Sequence, residues 1–241
     1  MIKRFRFGNP IATDTVTKEI PITELPVDYF KYNNESENIL KNINISIPYG
    51  SFIGILGKTG SGKTTLSNIL TKFYKIENNK IFFNNTDIND IDRTSFYKNI
   101  SYVMQEDYTY DNIIKYNIDL GKHYTEKEIK NALEKAEFLN TVEKLPLKYQ
   151  TYIGEGGIKI SGGQKQRLIL SRNIISTPKI LIIDDGLTGL DIETRKKVIK
   201  NITKNKNITL IIISNVIDDI KDADKIYILE NKTLKEVGGI K

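Results

Sequence analysis

The chain has 241 residues, of which 39% are hydrophobic, so it can bury one substantial core with room for a helical insertion. It contains no cysteine, which excludes disulfide bonds and thiolate metal sites. Its net charge of +6 comes from lysines and arginines scattered among acidic residues, without the interleaved aromatic residues of a base-stacking surface, so no nucleic-acid partner is expected.

Residues 1–26 are polar, contain three prolines and show no sustained periodicity, which predicts a linker or tail. Their basic start lacks the apolar stretch of a secretory signal. The alternation over residues 27–48 then predicts antiparallel strands around an acidic turn at residues 33–38.

An apolar stretch at residues 52–56 is followed by the run GKTGSGKTT, which fits the spacing G-x-x-x-x-G-K-[ST] of a P-loop. The glycines allow a tight turn whose backbone N–H groups form an anion site at the start of a helix beginning near Gly62. We expect Lys63 to reach the β and γ phosphates of a nucleotide and the Thr64 hydroxyl to bind Mg²⁺. A flexible turn is the alternative, but both the spacing and the preceding strand favour phosphate binding. The predicted loop comprises Gly57, Lys58, Thr59, Gly60, Ser61, Gly62, Lys63, Thr64 and Thr65.

The middle of the chain changes from strands to helices. Strands are predicted near residues 80–83 and 100–104, and from about residue 106 to residue 177 the pattern is helical. Within this region, residues 125–139 place apolar side chains on one helix face. Thr125 is the predicted N-cap of this helix, with Glu128 at the capping-box position.

Two carboxylates follow the next predicted strand. The apolar run at residues 180–183 indicates a buried parallel strand that ends in Asp184 and Asp185, where open α/β sheets bind ligands. We interpret Asp184 as a Mg²⁺ partner, direct or through another ligand, and Asp185 as the group beside the attacking water. Strands at residues 209–213 and 225–229, joined by helical crossovers, complete the parallel sheet.

The run ISGGQKQR begins at Ile160 and resembles the signature of the ATP-binding cassette (ABC) family, with isoleucine in place of the usual leucine. The resemblance extends over about residues 27–237. It implies that ATP and Mg²⁺ bind between two cassettes that close head to tail, the signature of one capping the γ-phosphate held by the other. The matching signature residues are Ser161, Gly162, Gly163 and Gln164.

The resemblance also implies roles for residues outside these motifs. Tyr32 matches the aromatic residue that stacks on adenine, although a tyrosine in an edge strand is the alternative. Gln105 matches the glutamine that contacts Mg²⁺ and changes position together with the mobile domain. The segments TYIGEGG and QEDYTYDNIIKYNI look exporter-like, and Glu155 in the first matches a glutamate that contacts a membrane domain. A solvated loop is the alternative for Glu155.

The hydrolytic residues depart from the family pattern. Asp185 stands where most active members have glutamate, so its carboxylate lies roughly 1 Å short, a displacement that can cost about a hundredfold in rate. Asn215 stands where the family has histidine, and an amide donates a hydrogen bond but takes no proton.

The only histidine, His123, lies in a polar stretch and is expected at the surface. Asp191 matches an aspartate that communicates across the dimer. The alternative is a loop aspartate that caps a helix predicted at residues 192–200, and both roles are compatible.

The expected fold is α/β: a P-loop NTPase core with a mostly parallel sheet, an antiparallel β subdomain and an inserted helical subdomain. We expect a linker or tail at residues 1–26 and an ABC ATP-binding domain at residues 27–241. Within it, residues 27–105 and 178–241 form the core and antiparallel strands, and about 106–177 form the helical subdomain.

The resemblance implies a domain that binds and hydrolyses ATP to power an ABC exporter at the cytoplasmic face of the cell membrane. The weakened hydrolytic residues and the retained signature resemble one half of a heterodimeric exporter. Because no window approaches the roughly 18 apolar residues of a membrane helix, the transmembrane partner is expected upstream in a longer chain or on a separate subunit. The alternatives are a binding-only module that regulates a partner ATPase, and a soluble non-transport ABC ATPase. The expected catalytic residues are Asp185, Asn215 and Gln105, and the expected metal ligands are Thr64, Gln105 and Asp184.

Overall fold

The computed structural model describes residues 27–30, 38–74, 76–83 and 85–239. The predicted tail at residues 1–26, Tyr32 and most of the predicted acidic turn lie outside these residues. The described part is a mixed α/β structure, as the sequence predicts.

Ten strands occur in the described residues. In chain order they are β1 (Val27–Phe30), β2 (Leu40–Ile43), β3 (Phe52–Gly57), β4 (Phe82–Phe83), β5 (Thr86–Asp87), β6 (Ile100–Val103), β7 (Ile180–Asp184), β8 (Thr209–Ser214), β9 (Lys225–Glu230) and β10 (Thr233–Gly238). Six of them form one sheet in the order β10-β9-β3-β8-β7-β6. All neighbours in this sheet pair in parallel except β10, which runs antiparallel to β9. β1 pairs with β2, and β4 with β5, as antiparallel ribbons.

The strands of the sheet form where the sequence carries β-branched apolar runs. β7 and β8 are buried along their entire length, as expected for central parallel strands covered on both faces. The strands predicted from residues 100, 180, 209 and 225 are confirmed, whereas the one predicted near residues 80–83 shortens to the two residues of β4.

Seven α-helices connect the strands of the described chain. They are α1 (Lys63–Leu70), α2 (Arg93–Asn99), α3 (Ile114–Asp119), α4 (Glu126–Lys135), α5 (Leu139–Glu143), α6 (Gly162–Ile174) and α7 (Ile192–Thr203). None of these helices is long and apolar enough to cross a membrane.

The helix predicted at residues 125–139 begins as expected but ends early. Thr125 and Glu128 form the predicted capping box at the start of α4. The chain then leaves the helix because Glu137 adopts a left-handed conformation with φ 56°. In this turn the N–H of Phe138 donates to the carbonyl of Leu133 at 2.8 Å, the pattern of a Schellman cap. The turn buries the Phe138 ring completely, which compensates for the interrupted helix.

Alternate residues of the central strands enter two separate cores, one on each face of the sheet. Leu181 and Ile183 of β7 pack in the core that includes α3 to α7. Ile180 and Ile182 pack in the core that includes α1, α2 and the ribbon of β1 and β2. Because both faces are covered, the carboxyl edge of the sheet is the open place at which the loops meet.

Candidate functional site

Four parallel strands bring the predicted site residues to one edge of the sheet. The phosphate-binding loop follows β3, Asp185 follows β7, Asn215 follows β8, and Gln105 lies two residues after β6. The side chains and loop surround a cavity of about 290 Å³. Its lining residues are Ile39, Thr59, Gly60, Gly62, Lys63, Thr64, Thr65, Gln105, Asp185, Thr188 and Asn215.

The backbone of the loop requires its glycines. Gly62 has φ +102°, and a Cβ there would lie 2.8 Å from a side-chain carbon of Leu40. A Cβ on Gly57 would lie 2.6 Å from the Ser61 hydroxyl oxygen. Gly62 is also the N-cap of α1 and has no side chain to accept from the first helical N–H groups. The start of α1 therefore presents unsatisfied donors to the cavity, which suits a phosphate group.

The Lys63 side chain folds back against the backbone of the phosphate-binding loop. Its Nζ donates to the carbonyl of Gly57 at 2.9 Å and to that of Lys58 at 3.3 Å. The same atom lies 3.7 Å from Oδ2 of Asp185, and the Lys63 side chain is 6% exposed. The loop thus holds one cation at the cavity wall beside one carboxylate.

Asp184 is almost completely buried, with 1% of its surface exposed. Its Oδ2 accepts hydrogen bonds from the Ser67 hydroxyl at 2.7 Å and the Tyr102 hydroxyl at 3.1 Å. Burial raises the pKa of the Asp184 carboxyl, and the charge of Asp185 adds to the rise. The hydroxyls of Ser67 and Tyr102, and to a smaller extent that of Thr64, oppose the rise because they favour the ionised form. Oδ1 of Asp184 accepts no hydrogen bond from any described residue.

Sequence reasoning missed Ser67 and Tyr102. Both lie in predicted elements, but neither belongs to the motif that predicts the site. Ser67 follows Lys63 by four residues and therefore lies on the same face of α1, which is the one available signal. For Tyr102, the alternation of β6 gives no indication that its hydroxyl meets a carboxylate.

Asp185 occupies a left-handed backbone conformation with φ 48°, which aspartate tolerates better than most residues. Its N–H donates to the carbonyl of Ile213 at 2.9 Å, so the strand turns sharply while remaining attached to β8. Oδ1 of Asp185 is buried and accepts no hydrogen bond within the described chain. The next residue, Gly186, leaves no space for a side chain, because a Cβ would lie 2.7 Å from Val103.

Asn215 is exposed directly after β8, and the residues around it are tied to the loop that follows β7. Oδ2 of Asp219 accepts from the Ser214 hydroxyl at 2.8 Å, and Oδ1 of Asp219 accepts from Arg195 at 2.9 Å. Arg195 also donates to the carbonyl of Leu190 at 2.9 Å. Sequence reasoning missed Arg195 and Asp219 because they are 24 residues apart and belong to no motif.

The residues of the run ISGGQKQR lie away from this cavity. Ser161 is the N-cap of α6 and forms a reciprocal capping box with Gln164, whose backbone N–H donates to Ser161 Oγ at 3.3 Å. Ser161 and Gly162 are exposed, and no residue of the run is among those that line the cavity in the described part of the chain. The helix contacts the loop after β7, because the Gly189 N–H donates to Oε1 of Gln166 at 2.9 Å.

Comparison with known proteins places this arrangement in a family. The model of the family described as "ABC transporter" matches residues 40–188. The chain belongs to this family. It is 35% identical over 221 residues to the multidrug resistance-like ATP-binding protein MdlA of Buchnera aphidicola, covering 90% of this chain and 38% of that protein. It is also 35% identical to the ATP-dependent lipid A-core flippase of Desulfotalea psychrophila, covering 84% of this chain and 36% of the flippase.

A solved structure of a bacterial Atm1-family ABC exporter with ATP bound has the same fold. It superposes with a TM-score of 0.86 at 29% identity, covering 93% of this chain and 40% of the exporter chain. The chain therefore spans well under half the length of these ABC transporter relatives.

Three further predicted residues are placed as follows in this ABC transporter chain. Asp191 caps α7 by accepting from the Thr194 N–H at 2.9 Å, which confirms its predicted structural role. Glu155 is exposed at the start of a 3₁₀ turn, Glu155–Gly157, in which Gly157 is buried. His123 is exposed, as expected, and takes no part in the cavity.

Proposed function

We propose that this chain is the ATP-binding and ATP-hydrolysing domain of an ABC exporter, with weak hydrolysis of its own. The observation that carries the proposal is the single cavity at which the phosphate-binding loop, Gln105, Asp185 and Asn215 meet. The names of the relatives, a multidrug resistance-like ATP-binding protein and an ATP-dependent flippase, support a role in ATP-driven transport.

The phosphates of ATP would lie on the backbone of the loop, with Lys63 donating to the β and γ phosphates. Lys63 already lies against the cavity, so it needs only to exchange its carbonyl and Asp185 contacts for phosphate oxygens. Tyr32 remains the predicted partner of the adenine ring.

The residues fit a magnesium ion. Thr64 and Gln105, which line the cavity, and Asp184, which is buried behind the lining residues, would hold it. Oδ1 of Asp184, which has no hydrogen-bond partner among the described residues, would supply the carboxylate oxygen that such a site needs. The described residues contain no cluster of three or more histidine, cysteine or acidic side chains. The side chains of Thr64, Gln105 and Asp184 offer oxygen atoms, the ligands that Mg²⁺ takes, and Mg²⁺ completes its coordination with waters and substrate phosphates. When bound, the ion would neutralise charge on the transferring phosphoryl group.

Asp185 and Asn215 would act on the attacking water, Asp185 as a base held back by its short side chain and Asn215 as a hydrogen-bond donor to phosphate. Asp185 and Asn215 support binding of ATP better than its hydrolysis, because the carboxylate of Asp185 lies too far from the water and the amide of Asn215 accepts no proton.

A second ABC domain would complete the site. The exposed residues Ser161 and Gly162 lie outside the cavity of their own chain, where they are available to cap a nucleotide held by a partner in a head-to-tail dimer. Because the hydrolytic residues Asp185 and Asn215 depart from the family pattern while the signature residues Ser161 to Gln164 are retained, we propose that the partner is a different chain with a competent site. The assembly would act at the cytoplasmic face of the membrane, with Glu155 contacting the transmembrane domain.

The proposal is tested by equilibrium binding of ATP to the wild-type chain and to Lys63→Ala. Loss of the charge-assisted hydrogen bonds, at about 1.5–3 kcal/mol, should weaken binding by roughly 10- to 100-fold. Lys127→Ala is the control, because it removes an exposed lysine of α4 that does not line the cavity. Absence of ATP binding to the folded wild-type chain, or equal binding by Lys63→Ala, would contradict the proposal.

A further inference from the structure

We propose that Ser67 and Tyr102 are positioning residues that fix the Asp184 carboxylate in the single orientation required to bind a divalent cation. The inference rests on the proposed function, in which Mg²⁺ accompanies ATP at this site. It assigns a task to two residues that lie outside every motif described above.

The three groups meet from three separate elements. Ser67 lies on α1, one turn after Lys63, and is completely buried. Tyr102 lies on β6 and Asp184 at the end of β7. The Ser67 and Tyr102 oxygens are 3.1 Å apart, and each lies within hydrogen-bond distance of the same carboxylate oxygen, Oδ2.

Each hydroxyl has one proton to donate. The Ser67 hydroxyl also lies 3.0 Å from the carbonyl of Thr64 and 3.3 Å from that of Lys63, but the carboxylate is nearer at 2.7 Å and carries charge. A charged acceptor gives the stronger hydrogen bond, so the Ser67 hydroxyl donates its proton to the hydrogen bond with the Asp184 carboxylate. The Tyr102 hydroxyl is 3.1 Å from both the carboxylate and the Ser67 hydroxyl. Because the carboxylate is charged, the Tyr102 hydroxyl also donates to Asp184.

The two oxygens of the Asp184 carboxylate therefore differ in their hydrogen bonds. Oδ2 is held by two donors, whereas Oδ1 is buried and accepts no hydrogen bond from the described residues. Rotation of the carboxyl group would break both bonds to Oδ2, so Oδ1 stays fixed. Partners of this kind orient metal ligands, and their removal typically weakens metal binding by 10- to 100-fold.

The neighbouring carboxylate lacks this arrangement. Oδ2 of Asp185 lies 3.7 Å from Nζ of Lys63, and Oδ1 of Asp185 is buried without a hydrogen-bond partner among the described residues. The two adjacent aspartates are therefore held by different groups: Asp184 by neutral hydroxyls, which leave its charge available to a cation, and Asp185 by a cation of the protein.

The experiment compares Tyr102→Phe and Ser67→Ala with the wild-type chain. Mn²⁺ binding is followed by electron paramagnetic resonance in the presence of a nonhydrolysable ATP analogue, and binding of the analogue is measured separately with the metal chelated. We expect Mn²⁺ to bind 10- to 100-fold more weakly to each variant, whereas metal-free binding of the analogue changes by less than about twofold. Tyr97→Phe is the matched control, because its hydroxyl donates to the carbonyl of Thr71 at 3.2 Å and not to Asp184.

The outcomes separate the inference from the proposed function. If Mn²⁺ binds as tightly to both variants as to the wild type, the inference is overturned while the magnesium site stands. If both variants lose metal-free binding to the same extent as metal binding, the two hydroxyls are only structural and the inference is again overturned. If the wild-type chain binds the analogue but no Mn²⁺, the proposed metal site fails first, and the inference with it.

Discussion

The substitutions Asp185→Glu and Asn215→His should turn a weak ATPase into a faster one. Asp185 has φ 48° and its Oδ2 lies 3.7 Å from Lys63, so its carboxylate is held at the wall of the cavity beside the phosphate-binding loop. One added methylene carries the carboxylate roughly 1 Å farther into the cavity, and a correction of this size is worth about a hundredfold in rate. The exposed Asn215 lines the same cavity, so a histidine there can orient the water and accept a proton.

The two gains should not multiply, because both side chains act on one water molecule. We expect about a hundredfold from Asp185→Glu and a further rise in the double variant that stays below about 10⁴-fold overall. A glutamate with positive φ costs about 1 kcal/mol, so the variants should unfold at slightly lower denaturant concentration without losing the fold.

The assay is phosphate release by the chain at saturating ATP, measured as a function of protein concentration because a dimer is the active form proposed. Asp185→Asn is the matched control: it keeps the size of the side chain but removes its charge, and should lower the rate further. A wild-type homodimer that already hydrolyses ATP at about 10 per second, a typical enzyme rate, would refute the reasoning. So would an unchanged rate in Asp185→Glu.

Three other changes have defined outcomes. Gly62→Ala should weaken ATP binding strongly in an equilibrium titration, since a Cβ there meets a side chain at 2.8 Å, whereas Gly60→Ala, with no described atom within 4 Å, should show only the cost of its positive φ. Arg195→Met should lower the free energy of unfolding in urea by about 3 kcal/mol, because it leaves the buried Asp219 carboxylate without its cation; recovery in Arg195→Lys would show that charge is responsible, and an unchanged midpoint would contradict the argument. Thr125→Ala should cost about 1 kcal/mol by removing the N-cap of α4, and Thr125→Ser should not, as measured by the same urea transition.

Much of the fold could be predicted because its signals are local. The β-branched runs of β7 and β8 predict buried parallel strands, since a strand covered on both faces needs apolar residues at every position. Thr125 and Glu128 predict the start of α4 because both partners of a capping box lie within four residues. The end of that helix was predicted four residues too late, because burial of Phe138 against distant residues decides where the chain turns.

The candidate site likewise has one part that the sequence predicts and one part that depends on tertiary contacts. The spacing of its glycines and Lys63 by itself determined the phosphate-binding loop, since the loop is made by consecutive backbone groups. Only the tertiary structure decided how Asp184 is held, because its donors Ser67 and Tyr102 lie 117 and 82 residues away along the chain. Such contacts depend on which strands become neighbours in the sheet, and no spacing within a motif records that order.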